Sequence, residues 1–279
     1  DDFGHNNMRL VRRNNPPGPF RLYAWDMEYS MIDTTGTRDY SYPFPIYSSS
    51  RTSSRDITDS IASVYIRLKD NNPEFRLRYA DRAYMHLFNG GALTAQNAAE
   101  RWSTRAGEIK SAVVCESARW GDQRRATPYT RDVEWLTEQR RLLETYFPRR
   151  PAIVMNQFSR AGLYPSHSAP VFAPHGGGLP ADGEPLEVSM QANAGNIYYT
   201  TDGSDPRLPG GMTGPGAVRY LEPLQISGTT RLKARALRRG NWSALNEAVY
   251  AADTSDLRIT ELMYHPREPD DDSSFDADD

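Results

Sequence analysis

Cysteine is almost missing from this sequence: Cys115 is the single one in 279 residues. A lone thiol excludes an internal disulfide, and with no CxxC or paired Cys/His spacing there is no cysteine-based zinc site. The five histidines (His5, His86, His167, His175 and His265) are scattered and form no HExxH pattern, so the usual helical zinc-hydrolase signature is absent too. Lysine is nearly as scarce, with only Lys69, Lys110 and Lys233 beside abundant arginine. That bias reads as a coding preference rather than a phosphate-binding signal. No apolar run approaches the ~20 residues a helix needs to span a bilayer. Nor is there a charge to drive binding to nucleic acid or anionic membrane, since the net charge is −3 and the pI is near 6.0.

What is present is polar but foldable. Hydrophobic residues make up 38% and the mean hydropathy is −0.70, which suits a globular protein of one large or two ordinary domains. Residue 1 is Asp, no signal peptide precedes the first polar loop, and the last twelve residues, Glu268–Asp279, carry seven acids. Both ends read as cut, so the chain is expected to be a fragment of a larger multidomain protein.

Residues 8–25 read as a β-hairpin, with Met8–Arg13 and Phe20–Trp25 flanking the turn-rich Asn14-Asn-Pro-Pro-Gly-Pro19. Residues 27–54 look irregular. Ile57, Ile61, Val64, Tyr65 and Leu68 then fall on one helical face. Asn72-Pro73 is an N-cap followed by proline at the first helical position, opening a helix with Phe75, Tyr79, Ala83 and Leu87 that ends at Asn89-Gly-Gly91. Thr94 is expected to cap a long helix striped by Ala98, Trp102, Ala106, Ile109 and Val113. Two more are expected over about 130–147 (Val133, Leu136, Leu143, Phe147) and 151–161, closing on Gly162 and Pro165.

After Pro165 the pattern changes to short alternating segments. Expected strands are Glu184–Met190, Asn196–Thr201, Val218–Tyr220, Leu224–Ile226, Thr230–Leu237 and Glu247–Ala251. In Thr230–Leu237, Leu232, Ala234 and Ala236 face one way and Arg231, Lys233 and Arg235 the other. Such spacing argues for an all-β sandwich. Leu257–Met263 reads as one further strand. The acidic Asp270-Asp-Asp272 lacks the glycine and terminal glutamate of an EF-hand loop and reads as solvated.

The spacing that carries chemistry lies in the first 28 residues. Asp2 is followed five positions on by Asn7, then by the hairpin, then by Asp26. Protein kinases order their site this way: a loop Asp accepts the substrate hydroxyl proton, an Asn holds one magnesium, and an Asp beyond a hairpin holds metal at the phosphates. Phosphoryl transfer needs positioning more than covalent help, and Mg²⁺ takes oxygen ligands, which Asn7 and Asp26 offer. By the residues alone, Asp2 is also a plain turn residue in a Gly/Asn-rich loop. His5 reads as solvated, as do the alternating Arg9, Arg12 and Arg13 on the hairpin.

The segment Gly18-Pro-Phe-Arg-Leu-Tyr-Ala-Trp25-Asp26-Met-Glu28 resembles the Trp-Asp-x-Asp/Glu signature of the CotH family, atypical kinases named for a spore-coat member. Asn72-Pro-Glu-Phe-Arg and Gly91-Ala-Leu-Thr94 resemble the helical C-lobe of its large members, so the likeness covers about residues 1–165. It implies Asp2 as catalytic base, Asn7 and Asp26 as ATP- and Mg²⁺-binding residues, and Glu28 where the family often has a second Asp, reaching metal or neighbouring backbone. The lysine and phosphate-covering loop of a kinase precede the catalytic loop, so this chain alone is expected to transfer nothing. Asn196-Ile-Tyr-Tyr-Thr-Thr-Asp-Gly-Ser-Asp-Pro206 resembles the chitobiase C-terminal-like domain, an immunoglobulin-like sandwich. Leu257-Arg-Ile-Thr-Glu-Leu-Met-Tyr-His-Pro266 looks like the first strand of a lamin-tail domain.

The expected fold is therefore α+β: the helical C-lobe of a kinase-like domain with a catalytic-loop hairpin over 1–165, an all-β immunoglobulin-like sandwich over 166–252, and the start of a lamin-tail domain over 253–279. The expected function is that of an exported, cell-surface or secreted kinase acting on Ser/Thr of a surface or coat protein. Two alternatives are a non-catalytic surface scaffold or adhesion protein, and a carbohydrate-binding module that meets cell-surface glycan through Tyr198 or Trp242. No nucleic acid partner and no membrane-spanning segment are expected.

Overall fold

The structure, a computed structural model, describes residues 8–24, Met31 and 61–252. The expected strand at 257–263 and, Met31 apart, the expected irregular segment 27–54 lie outside these residues. The fold is α+β, with a hairpin and helices first and two packed sheets after them.

The hairpin forms where the turn residues required it. Strands β1 (Met8–Val11) and β2 (Arg21–Ala24) pair antiparallel from Met8↔Ala24 to Val11↔Arg21. The Gly18 amide donates to the Arg13 carbonyl at 2.9 Å inside the connecting loop.

Helix α1 (Ile61–Asn71) leads directly into α2 (Pro73–Leu87). Asn72 sits between them with extended backbone, and its side-chain oxygen accepts the Phe75 amide at 3.0 Å. That bond satisfies one of the amides a helix start leaves unpaired, while Pro73 has no amide to lose. Tyr65 of α1 meets Phe75 edge-on, with centroids 5.9 Å apart, which joins the two helices. The end of α2 needs its glycines. Asn89 and Gly90 take positive φ, and a Cβ on Gly91 would lie 2.2 Å from the Met85 carbonyl oxygen.

Helix α3 (Ala95–Ile109) begins after Thr94, whose hydroxyl donates to the Gly91 carbonyl instead of capping the helix. The long stripe expected through Val113 is cut at Lys110–Ser111. A separate α4 (Ala112–Trp120) follows, and it has no buried residue. Ile109, near the end of that stripe, is exposed among the described residues, so burial there does not hold one straight rod. The expected break at Pro151 goes the other way. A widened turn at Arg131–Trp135, α5 (Leu136–Arg141), a second widened turn at Leu142–Tyr146 and α6 (Phe147–Arg160) follow without a gap, and Pro151 lies inside α6. The widened turn just upstream loosens the hydrogen-bond ladder that the proline ring would otherwise clash with. Leu142, Tyr146 and Phe147 form the buried centre of this helical layer, packed against Ala98, Ala99 and Trp102 of α3.

The second half is a two-sheet sandwich. One sheet runs β4 (Gly177–Gly178), β11 (Asn246–Ala251), β9 (Thr230–Arg238), β6 (Asn196–Thr200), β7 (Val218–Arg219), with β10 (Asn241–Trp242) also on β9. The other is β3 (Val171–Ala173), β5 (Leu186–Gln191), β8 (Leu224–Ile226). Phe172, Val188, Met190 and Ile226 from the smaller sheet face Ile197, Leu232, Ala234, Ala248 and Tyr250 from the larger, making one apolar core. The six strands expected between 184 and 251 are all present. β3, β4 and β10 are additional, each two or three residues long and too short to show a period.

Candidate functional site

The residues that the kinase-like spacing singles out, Asp2, Asn7, Asp26 and Glu28, lie outside the described residues, as does His5. What is described is the element between them. The chain enters the hairpin from Asn7 and leaves it toward Asp26 at the end where Met8 pairs with Ala24. Arg12 and Arg13 are exposed, in keeping with a solvated face, and the Arg12 guanidinium lies 5.5 Å from the centroid of the Phe20 ring.

The polar chemistry that the structure does assemble lies elsewhere, in a cleft of about 910 Å³ between α2 and the larger sheet. Its floor follows from the alternation of β9. With Leu232, Ala234 and Ala236 turned into the core, Arg231, Lys233 and Arg235 must face out. Arg235 is nonetheless only 2% exposed, because α2 lies across it. Its guanidinium donates to both carboxylate oxygens of Asp81 on α2, each at 2.7 Å, and to those of Asp205 at 2.8 and 2.7 Å. It also donates to the Ser243 carbonyl at 2.9 Å. Asp81 accepts the Leu245 amide at 2.8 Å as well, so one helical carboxylate holds β9 and the segment that leads into β11.

Electrostatics agree with this geometry. Burial disfavours the charged Arg235, but its hydrogen bonds to Asp205 and Asp81 outweigh it and hold the guanidinium more firmly protonated than usual. Burial likewise pushes the Asp205 carboxyl up, and Arg235 more than offsets this, leaving it below the usual carboxylate range. Asp205 is set for the task by its own turn, in which its side chain accepts the Arg207 amide at 3.0 Å.

A second ion pair lies two turns earlier on α2. Arg207 grips Glu74 with both terminal nitrogens, and the Gly210 amide adds a bond to Glu74 at 3.0 Å. The Arg207 hydrogen bond, helped by that amide, lowers the Glu74 carboxyl to about 2. Farther along, Asn246 accepts from the Asn89 amide at 3.2 Å and lies 2.9 Å from the His175 ring nitrogen. The cross-strand partners Lys233 and Glu247 pair at 3.3 Å. Ala80 and Tyr84 of α2 pack on Ala169 and Ala244 beneath these polar contacts.

Two sequence expectations meet the structure here. The Asp202-Gly203 and Asp205-Pro206 turn is present, with Gly203 at φ +82° and the Asp202 carboxylate bonding Ser204. Trp242 is no sugar platform. Its indole is buried, donates to the Gly211 carbonyl at 2.7 Å and meets Tyr198 edge-on at 5.7 Å. The sequence carries no mark of the Asp81–Arg235 pairing, because its partners are 154 residues apart. The alternation of β9 shows which way Arg235 points but not what covers it.

Residues 186–250, under a quarter of the chain, match the model of a family described as Fn3 associated. The match runs from β5 to β11, so the sandwich is similar to a fibronectin-III-associated β domain. No curated protein matches the chain. Among the described residues, no helix is long and apolar enough to cross a membrane.

Proposed function

We propose that residues 1–165 supply the catalytic-loop and helical part of a CotH-like protein kinase domain, in an exported protein that transfers the ATP γ-phosphate to Ser or Thr of a surface or coat protein. The observation that carries this reading is the hairpin, whose paired end leads to Asn7 on one strand and to Asp26 on the other. In this reading Asp2 accepts the proton of the substrate hydroxyl, Asn7 and Asp26 offer oxygen donors suited to Mg²⁺, and Glu28 orients the loop beside Asp26. Bound Mg²⁺ would neutralise charge on the phosphates, while the chain's own residues position the nucleophile and the nucleotide. The sandwich over 166–252 then belongs to the chitobiase C-terminal-like type, and 253–279 opens a lamin-tail domain.

The test is transfer of labelled γ-phosphate by the full-length protein beside its Asp26→Ala variant. Incorporation in the first and none in the second is the expected result. Equal incorporation in both overturns the role of Asp26. No incorporation in either, with folded protein and Mg²⁺ present, supports a second reading, a non-catalytic surface scaffold. One observation favours that reading independently: the buried Arg235 fixes the sandwich to α2, as a load-transmitting arm requires. A glycan-binding role for the sandwich loses one of its two aromatic candidates with the burial of Trp242.

A further inference from the structure

The cleft between α2 and the larger sheet holds more positive charge than its own acids use. Its four acids are all paired: Glu74 with Arg207, Asp81 and Asp205 with Arg235, and Glu247 with Lys233. Three arginines that line the same space, Arg78, Arg82 and Arg231, have no carboxylate partner among the described residues; Arg82 donates to the Met85 sulfur at 3.6 Å. A fourth, Arg207, turns two nitrogens to Glu74 and leaves its Nε buried without an acceptor. The chain as a whole carries a charge of −3, so this local excess opposes the rest of the molecule. A concave site of one sign attracts and concentrates ligands of the other.

We propose that this cleft binds an acidic peptide segment in extended conformation. This does not depend on the kinase reading. Arg78 and Arg82 stand four residues apart on α2, a rise of about 6 Å. Alternate side chains of an extended peptide lie about 6.6 Å apart, so carboxylates at positions i and i+2 meet the two guanidiniums in turn. Arg231 reaches the same ligand from the sheet. Guanidinium forks suit carboxylates better than an ammonium would, because each can bond two oxygens in one plane. Charges strung along two elements fit a row of carboxylates, whereas a single phosphate needs donors converging on one point. Leu77, Met85 and Pro209 give the peptide backbone an apolar surface between the charges.

The probe is a fluorescein-labelled hexa-aspartate peptide, titrated into the full chain by fluorescence anisotropy at low and physiological salt. The chain has its own acidic stretch at 268–279, so the titration is repeated in a variant with Asp270, Asp271 and Asp272 changed to Asn. Saturable, salt-sensitive binding is expected in at least one of the two. It should weaken about tenfold or more in Arg78→Ala/Arg82→Ala and in Arg231→Ala. These side chains are exposed, so circular dichroism should show unchanged folding. Arg238→Ala, exposed on β9 and outside the cleft, should bind as the parent does. Absence of saturable binding in both backgrounds overturns the proposal, and so does an equal loss in Arg238→Ala. Displacement by a single-stranded oligonucleotide at lower concentration than by unlabelled peptide also overturns it, in favour of nucleic acid.

Discussion

Strand β9 buries side chains on both of its faces, and the two buried environments are chemically opposite. On one, Leu232, Ala234 and Ala236 are fully buried, the first two within the apolar core between the sheets. On the other, Arg235 is equally withdrawn from water but surrounded by Asp81, Asp205 and the Ser243 carbonyl. The apolar face assembles the sandwich and needs only shape and volume. The ionic face joins the sandwich to a helix more than a hundred residues away in sequence, and it works only in one register. A buried guanidinium loses its hydration wherever it sits, and four hydrogen bonds to two carboxylates with a fifth to the Ser243 carbonyl restore that loss only if α2 stops at the right place.

Cutting the ionic face destabilises the junction most. Arg235→Ala leaves two carboxylates facing each other at the junction, a loss of ~3–5 kcal/mol by analogy with other broken buried pairs. Leu232→Ala on the opposite face leaves a cavity and should cost ~2–4 kcal/mol. Equilibrium urea unfolding of both variants measures this directly. If Arg235→Ala costs less than about 1 kcal/mol, a figure typical of exposed pairs, then the junction is solvated in practice and the two halves are weakly joined.

Acid sharpens the same comparison, because the apolar face does not titrate. The Glu74 carboxyl lies at about 2 in the folded protein against an ordinary 4.5. A carboxyl depressed by folding stabilises above its ordinary value, and that stabilisation fades as pH falls from 4.5 toward 2. Glu74→Gln removes this titration. The melting temperature of the parent should therefore fall more steeply than that of Glu74→Gln across that window, and the two curves should run parallel above it. Since the Glu74 side chain is 44% exposed, the difference should be modest and should shrink with salt. Parallel curves throughout would remove Glu74 from the junction's energetics.

Local grammar made much of the fold legible. The Asn72-Pro73 start, the Asn89-Gly-Gly91 stop, the turn residues of the hairpin and the period-two pattern of β9 each act within a few residues, and each places an element where the structure has it. Reading failed where the deciding interaction is distant or weak. Nothing near Ile109 marks it as exposed among the described residues, and there the helix expected through Val113 breaks. Pro151 looks like a boundary because its tolerance depends on a widened turn that leaves no mark in the residue pattern. The cleft was half legible. Alternation sent Arg231, Lys233 and Arg235 outward, but only the tertiary structure puts Asp81 and Glu74 opposite them. The kinase-like set of Asp2, Asn7, Asp26 and Glu28 rests on spacing and resemblance, together with the hairpin register between them.

The smallest expected effect concerns how α2 is placed to serve both faces of this comparison. Asn72 accepts the Phe75 amide at 3.0 Å and is followed by a proline that fixes the first helical turn. Asn72→Ala removes that acceptor and should destabilise the protein by about 1 kcal/mol. Asn72→Asp keeps an acceptor and adds a negative charge at the positive end of the helix, so it should be close to neutral or slightly stabilising at pH 7. Denaturant midpoints for the two variants decide whether the cap or the packing sets the register of α2. If Ala and Asp prove equal, the aromatic contacts of Phe75 and Tyr79 with Tyr65 hold the helix start. In that case the distance from Asn72 to Asp81 is fixed by packing, and the ionic face depends on the apolar one for its register.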